Sequence, residues 1–148
     1  MGDGEYRSSL EQLAGELKLT QTVTFHGNVN HETVLRALSH AHLFIFPSRR
    51  EGFPKAVLEA LACSLPVVAT RTSVIPQLLK NGSGLLLDDT DSQSVVMAVL
   101  ELISNSERFA KMGLLARQAA KGYTLEAWGE TIGERLRAAW GPLKSGQA

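Results

Sequence analysis

The chain has 148 residues, of which 44% are hydrophobic, and this is enough to bury the core of one globular domain. Fifteen Lys and Arg residues balance fifteen Asp and Glu residues, so no excess charge predicts nucleic acid or an anionic membrane as a partner. The single cysteine, Cys63, excludes an internal disulfide and a cysteine zinc site, and it fits a reducing, cytoplasmic compartment. No apolar run is close to the roughly 20 residues that a membrane span needs, and the polar start is unlike a signal peptide.

Short β-branched or aromatic runs alternate with longer helical patterns, which predicts an α/β chain with a parallel sheet of about four strands flanked by helices. We expect these strands at residues 22–26, 43–46, 66–70 and 84–87. The runs at 43–46 and 66–69 are continuously apolar, which is typical of central parallel strands covered on both faces. These two strands are therefore expected to form the core of the sheet.

Helical patterns lie between and after the strands, at about residues 5–17, 31–39, 54–63 and 75–80. Three C-terminal helices follow. Their first turns can be capped by side-chain oxygens of Thr90 or Asp91, of Ser106 and of Thr124. The last helix is expected to end near Trp140, and residues 142–148 are expected to form a flexible tail.

Residues 47–62, with the sequence PSRREGFPKAVLEALA, lead from the carboxyl end of a predicted buried strand directly into a helix. Open α/β sheets bind their ligands at such a point. Gly52 allows close approach of the backbone to a ligand, and Pro54 suits the first helical turn because its missing N–H would be unpaired there. Free amides and the positive end of the helix dipole suit a phosphate or a sugar hydroxyl. The segment therefore predicts a small-molecule site.

Two acidic residues in this segment each have two interpretations. Glu59 interrupts an apolar helix and needs a partner, which could be Lys55, although Lys preceding Glu is the weaker orientation for an intrahelical pair. Glu51 could equally be a solvent-exposed acidic residue of a loop, whose negative charge is stabilised by the nearby helix dipole. The residues alone leave a structural and a ligand-binding role open for both.

Taken together, Glu51-Gly52-Phe53-Pro54, Leu58-Glu59-Ala60 and the run PVVAT at 66–70 closely resemble the acidic motif of glycosyltransferase family 4, also called glycosyltransferase group 1. The similarity continues at residues 2–4, 23–29, 41–48 and 84–87, and so it covers nearly the whole chain. It implies that residues 1–141 form the C-terminal, nucleotide-sugar-binding, Rossmann-like domain of a GT-B fold.

The resemblance implies that the sugar donor is bound by Glu51, Gly52, Phe53, Pro54, Lys55, Leu58 and Glu59. Glu51 would be the catalytic residue that contacts the transferred sugar, and Glu59 would accept hydrogen bonds from the ribose diol, which suits the two oxygens of a carboxylate. The nucleotide base would lie near Gly27, Asn28 and Val29. Transfer would retain the anomeric configuration, and helix amides and basic groups would stabilise the leaving diphosphate. The resemblance implies neither a metal nor a cofactor beyond the nucleotide-diphosphate-sugar donor.

The chain departs from the family pattern in two places. Where many relatives have a Gly-Gly-hydrophobic-Pro-Glu turn whose glycine amides face the donor, this chain has SVIPQ at residues 73–77. By the resemblance, residues 2–4 follow the second strand of the donor domain, so we expect its first two strands, first helix, Arg and Lys pair and the acceptor domain to be missing. Unpaired strand edges would then invite association, and the isolated chain is expected to be inactive.

Several further residues have mainly structural interpretations. The histidines His26, His31, His40 and His42 lack metal-site spacing and are interpreted as loop or helix-end residues. Cys63 is interpreted as a packing residue and not as a nucleophile. An apolar stripe in the last helix either contacts a separate acceptor domain or a second copy, or packs on the chain's own sheet; it comprises Trp128, Ile132, Leu136 and Trp140.

Three functions remain open from the sequence. The leading hypothesis is the donor-binding part of a retaining, hexosyl-type glycosyltransferase that uses a nucleotide-diphosphate-sugar. The alternative is a non-catalytic nucleotide-sugar-binding or assembly module that needs a separate acceptor domain. A third is another enzyme of similar two-domain architecture, such as a nucleotide-sugar epimerase or a phosphorylase, and the acidic motif argues against it.

Overall fold

A computed structural model describes residues 3–141, and the chain divides into two compact units at residues 1–40 and 41–148. The tail expected at 142–148 lies outside the described residues. The single domain expected across residues 1–141 stays a prediction.

The described residues of the first unit contain two helices, α1 (Arg7–Glu16) and α2 (His31–His40), close to the ranges that the sequence predicts. α1 ends where Lys18 adopts a left-handed backbone with φ 58°, and the Leu19 amide donates to the Ala14 carbonyl over 2.8 Å. This reversal satisfies a carbonyl that the helix end would leave unpaired. α2 begins at an Asn30 side chain that accepts a 2.9 Å hydrogen bond from the Thr33 amide.

The strand predicted at residues 22–26 is not formed. The amides of Thr22 and Val23 both donate to the Leu19 carbonyl, so the segment begins as a turn, and residues 23–27 are neither helix nor strand. A strand requires a neighbour with which to exchange ladder hydrogen bonds, and no residue between 3 and 141 pairs with this segment. The β-branched and aromatic residues of this segment indicated only a local preference for extended backbone.

The second unit contains a parallel three-stranded sheet in the order β1 (Phe44–Phe46), β2 (Val67–Thr70), β3 (Gly84–Leu87). The register aligns Ile45 with Val68 and Val68 with Leu85. This confirms the predicted α/β class with a parallel sheet, with three strands in the described part of the chain. β2 is central and buried at every position, as its apolar run predicts. The same prediction was wrong for β1, which is an edge strand of this sheet with Ile45 42% exposed.

Between residues 41 and 141, five helices accompany the sheet: α3 (Lys55–Ala62), α4 (Ile75–Leu79), α5 (Ser92–Ile103), α6 (Ser106–Lys121) and α7 (Leu125–Trp140). The predicted caps of α5 and α7 are confirmed, since Asp91 accepts from the Ser94 amide over 2.9 Å and Thr124 from the Ala127 amide over 3.2 Å. α6 starts at Ser106, but its cap is Asn105, which accepts from the Arg108 amide over 2.8 Å. An amide oxygen one residue earlier thus takes the role expected of the serine hydroxyl.

The core of the second unit lies where β2 and β3 meet α5 and α6. One buried cluster contains Val68, Leu87, Ala98, Leu102 and Met112. α3 packs along α6, and its residue Leu61 is buried. This packing fixes the start of α3 beside the carboxyl ends of the strands.

Helix α7 differs from the others because none of its residues is buried. Its apolar stripe is exposed, with Trp128 66% and Trp140 80% accessible. Packing on the chain's own sheet, one of the two interpretations of the stripe, therefore does not occur in the described part of the chain. Neither α7 nor any other described helix has the length and apolarity to cross a bilayer.

Candidate functional site

The segment that connects β1 to α3 lies at the carboxyl end of β1 and presents its residues to solvent. Gly52 and Lys55 are exposed, Glu51 is partly exposed, and Phe53 keeps 51% of its surface accessible. Pro54 is buried at the N-cap position of α3 and supplies no side-chain cap. The start of α3 is therefore open to a ligand and is not closed by a side chain of its own.

Two hydroxyl groups from the end of β2 and the following turn hold this segment. The Thr70 hydroxyl donates a hydrogen bond to the Ser48 carbonyl, and the Ser73 hydroxyl donates one to the Gly52 carbonyl. Each contact joins side chain to backbone across residues that are distant in sequence. The segment after β1 is thus anchored at both ends to the segment after β2.

Backbone amides at the start of α3 are available for binding. The Lys55 amide donates to the Phe53 carbonyl over 2.9 Å, and the Val57 amide to the Pro54 carbonyl over 3.0 Å. Within residues 3–141, by contrast, the amides of Gly52, Phe53 and Ala56 donate no hydrogen bond. A helix start with unpaired donors and the positive end of the dipole favours an anion.

The two acidic residues of the motif lie in different surroundings. Glu59 is half-buried on α3 and, with Leu58, lines a cavity of about 230 Å³. The remaining walls of this cavity belong to α3, to the last turn of α6 and to the connection between α6 and α7: Ala62, Ala120, Tyr123 and Thr124. Glu51 is not part of this lining and stays with Gly52 on the exposed segment before α3. The structure thus groups Leu58 with Glu59, and Glu51 with Gly52 and Phe53.

The structural explanation of Glu59 through Lys55 is not supported. Lys55 is exposed and forms no ion pair with any residue of the described chain. One turn further along α3, burial raises the pKa of the Cys63 thiol, and the negative charge of Glu59 raises it further. A raised pKa lowers the thiolate fraction, so it agrees with the interpretation of Cys63 as a packing residue.

A second cavity, of about 330 Å³, opens at the carboxyl ends of the three strands. Two arginines of its lining are held by neighbours, since Arg49 Nε donates to Thr90 Oγ1 over 3.1 Å and Arg71 Nε to Asp88 Oδ1 over 2.9 Å. The lining is Ser48, Arg49, Thr70, Arg71, Thr72, Asp88, Asp89 and Thr90. Ser48 and Arg49 lie within the segment at 47–62 that the sequence predicts as a small-molecule site, whereas the other lining residues were not predicted as site residues. The one sequence signal of those others is that they lie within a few residues of a strand end.

The residues expected near the base lie in the first unit. Gly27 is buried with φ 65°, and a Cβ there would approach Arg7 Nη1 to 2.3 Å. The Arg7 guanidinium donates to Glu11 over 2.8 Å and to Asp3 over 3.1 Å, and these hydrogen bonds, that to Glu11 foremost, raise its pKa. Gly27 and Arg7 border a cavity of about 230 Å³ whose other lining residues are Gly4, Tyr6, Leu10, Thr24, Phe25 and His26.

Asn28 and Val29 do not belong to that lining, and Asn28 is exposed. Of the three residues expected near the base, Gly27 is therefore the one that borders this cavity. No three His, Cys, Asp or Glu side chains between residues 3 and 141 converge as a metal site would require. Independence from metal stays a prediction.

Comparison with known proteins defines the family. The family model for glycosyl transferases group 1 matches residues 1–119. The chain belongs to this family. It is 30% identical over 144 residues to the GDP-mannose-dependent monoacylated alpha-(1-6)-phosphatidylinositol monomannoside mannosyltransferase of Corynebacterium glutamicum. That alignment covers 92% of the chain and 36% of the relative, so the chain spans about a third of the relative's length.

Solved glycosyltransferases share the fold. Sucrose-phosphate synthase from Thermosynechococcus elongatus superimposes with a TM-score of 0.79 at 24% identity, covering 94% of this chain and 37% of that one. The C-terminal domain of a group 1 glycosyltransferase from Francisella tularensis gives a TM-score of 0.64 at 23% identity, covering 80% of this chain and 62% of that one. The fold is that of GT-B glycosyltransferases, and the resemblance on which the sequence interpretation rested is confirmed.

Proposed function

We propose that this chain is the donor-binding part of a retaining, hexosyl-type glycosyltransferase that uses a nucleotide-diphosphate-sugar. The observation that carries the proposal is the group of amides at the start of α3 that donate no hydrogen bond in the described chain, at the end of the segment that leads from the carboxyl end of β1 into this helix. Ligands bind at this edge of open α/β sheets, and unpaired amides at a helix start suit a phosphate. Family membership supports a sugar donor, because group 1 glycosyltransferases use nucleotide sugars.

The diphosphate is proposed to bind at the amides of Gly52, Phe53 and Ala56. When the bond from the anomeric carbon to the diphosphate oxygen breaks, negative charge grows on that oxygen. Fixed amide dipoles stabilise such charge without having to reorganise during the reaction. Lys55, exposed on the first turn of α3, adds a positive charge near the same helix start. No metal is needed in this proposal.

Glu59 is proposed to accept the hydrogen bonds of the ribose diol. It is half-buried and borders a cavity of about 230 Å³, so its carboxylate is partly shielded from water. A carboxylate in such surroundings makes stronger hydrogen bonds to hydroxyl donors than it would in bulk water. Leu58 and Tyr123 border the same cavity and would contact the apolar faces of the nucleoside.

Glu51 is proposed as the catalytic residue that contacts the transferred sugar. It directly precedes Gly52 and is partly exposed, which suits contact with a sugar attached to a diphosphate at the neighbouring amides. Transfer would break the bond from the anomeric carbon to the diphosphate oxygen and form a bond from an acceptor oxygen on the same face, which retains the configuration. The proton of the acceptor hydroxyl would pass to the leaving diphosphate. The reaction would take place in the cytoplasm.

The acceptor is proposed to be supplied by a separate domain, with the stripe on α7 as the contact surface for that domain or for a second copy. Both tryptophans of the chain lie in this stripe and are exposed. We expect the tryptophan fluorescence of the isolated chain to have an emission maximum typical of water-exposed indole rings. This maximum should shift to shorter wavelength when the partner surface covers α7. Unchanged emission in an assembled complex would exclude α7 as the contact.

A non-catalytic binding or assembly module is the second candidate, and the exposed apolar stripe of α7 is the observation that favours it. The two candidates differ in one measurable respect. A transferase consumes its nucleotide sugar when an acceptor domain is supplied, whereas a module binds the nucleotide sugar and leaves it intact.

Calorimetric titration of the chain with UDP, GDP, ADP and their sugar conjugates tests the proposed donor site. We expect saturable binding of one nucleotide series with 1:1 stoichiometry, because a single donor site is proposed. Absence of binding of every nucleotide by a cooperatively folded sample would contradict the proposal. Circular dichroism and a thermal unfolding curve of the same sample establish that it is folded.

A further inference from the structure

Ser73 has a backbone conformation that residues with a Cβ rarely adopt. It lies in the turn between β2 and α4, where the Ile75 amide closes the turn on the Thr72 carbonyl over 3.1 Å. Its φ of 49° falls in the left-handed region, in which a side chain is disfavoured and glycine is the usual residue. A serine at this position therefore calls for a compensating contact.

The compensating contact is the hydrogen bond from the Ser73 hydroxyl to the Gly52 carbonyl. Gly52 has no side chain through which its conformation could be fixed, and it is exposed. Holding its carbonyl is thus one of the few ways to fix this part of the segment. The hydrogen bond from Thr70 to the Ser48 carbonyl fixes the other end.

Because the peptide bond is planar, the hydrogen bond to the Gly52 carbonyl also fixes the direction of the next amide N–H. The Gly52 carbonyl and the Phe53 N–H belong to one trans peptide unit and point in opposite directions. When the Ser73 hydroxyl holds the carbonyl, the Phe53 N–H is directed to the far side of the segment. The Phe53 amide is one of the amides at the start of α3 that donate no hydrogen bond in the described chain.

We propose that Ser73 is a positioning residue of the donor site, which orients the Phe53 amide toward the donor's diphosphate through its hydrogen bond to the Gly52 carbonyl. This inference rests on the proposed function. In this proposal the Ser73 side chain contacts neither the sugar nor the nucleotide and acts only through the Gly52 carbonyl. The left-handed backbone at Ser73 is retained because it aims the hydroxyl at Gly52.

Two substitutions separate positioning from stability. Ser73→Ala removes the hydroxyl and keeps a Cβ in the left-handed backbone, so it lowers the unfolding temperature. Ser73→Gly removes the hydroxyl and also relieves that backbone, so its unfolding temperature exceeds that of the alanine variant. Ser104→Ala is the matched control, because the Ser104 hydroxyl also donates to an exposed backbone carbonyl, that of Glu101, at the end of α5.

The measurement is the Kd of each variant for the nucleoside diphosphate and the nucleoside monophosphate of the base that the unsubstituted chain binds. We expect both Ser73 variants to bind the diphosphate about 2- to 10-fold more weakly, which is the usual range for one lost hydrogen bond. The monophosphate should lose less affinity, since it lacks the distal phosphate, and Ser104→Ala should lose none. The diphosphate affinity of the two variants should fall together although their stabilities differ.

The inference is overturned if Ser73→Gly binds the diphosphate as tightly as the unsubstituted chain, or if diphosphate and monophosphate weaken by the same factor. In either case the unsubstituted chain still binds nucleotide, and the proposed function stands. If the unsubstituted, folded chain binds no nucleotide, the proposed function fails and this inference fails with it.

Discussion

Gly84 lies directly against Val67 where β3 pairs with β2, so that a Cβ on Gly84 would stand 2.3 Å from the Val67 carbonyl oxygen. The same Cβ would also meet the Leu79 side chain at 3.0 Å. The carbonyl cannot move without disturbing the ladder between the two strands. Only glycine allows this approach of β3 to the central strand.

Gly84→Ala should therefore destabilise the chain by about 1 to 3 kcal/mol, the usual cost of overpacking a core. Urea unfolding followed by circular dichroism measures the change. Gly129→Ala is the control: it lies inside α7 with no atom near its added Cβ, and it should stabilise the chain by about 0.5 to 1 kcal/mol. Equal midpoints for Gly84→Ala and the unsubstituted chain would show that β3 does not pack on β2 as described.

Glu59→Ala should weaken nucleotide binding about 10- to 100-fold, because hydrogen bonds to a charged acceptor are worth roughly 1.5 to 3 kcal/mol. Calorimetry with the nucleoside diphosphate gives the affinity, and a 2′-deoxynucleotide should bind the unsubstituted chain more weakly for the same reason. Glu130→Ala on the exposed α7 removes an acidic side chain elsewhere and should leave the affinity unchanged. An unaltered Kd for Glu59→Ala would exclude Glu59 from the ribose site.

Glu51→Ala should reduce discrimination between sugars and leave binding of the bare nucleotide nearly intact. The physical reason is that Glu51 is proposed to contact the transferred sugar, whereas the nucleotide is held by α3. The ratio of the Kd values for the nucleoside diphosphate and its sugar conjugate should move toward one. Equal weakening of both ligands would instead place Glu51 at the nucleotide.

Cys63 should react slowly with iodoacetamide at neutral pH, because burial and then the charge of Glu59 raise its pKa above the ordinary value of a thiol. Reaction requires the thiolate, so the rate should increase with pH and reach half its maximum above the roughly 8.5 of an unperturbed thiol. Glu59→Gln removes the charge and should shift this midpoint to lower pH. Mass spectrometry of timed samples measures the rate, and a midpoint that Glu59→Gln leaves unmoved would contradict the coupling.

The helices could be predicted from the sequence because their signals are local. Asp91 and Thr124 bond to amides three residues ahead, so the residue type and its spacing suffice to place the start of α5 and α7. The strand expected at residues 22–26 shows the limit of such signals, because pairing depends on a distant neighbour that residue types do not reveal.

The acidic motif likewise located the segment from Glu51 to Glu59 and its approach to α3. The hydrogen bond from Ser73 to Gly52 could not be predicted from the sequence, because it joins two turns whose proximity depends on β1 pairing with β2. The cavity bordered by Arg49 and Arg71 was missed for the same reason. Each of its residues is ordinary in its own segment, and the cavity arises from three strand ends lying side by side.

Chemical-shift mapping of the ¹⁵N-labelled, 16.0 kDa chain during titration with a nucleoside diphosphate tests the central claim most directly. The claim is that the start of α3 holds the donor's diphosphate. We expect the largest amide shifts at Gly52, Phe53 and Ala56, with a smaller shift at Glu59, and saturation at the Kd found by calorimetry. Saturable binding that leaves residues 51–59 unshifted would contradict the claim and place the nucleotide elsewhere on the chain.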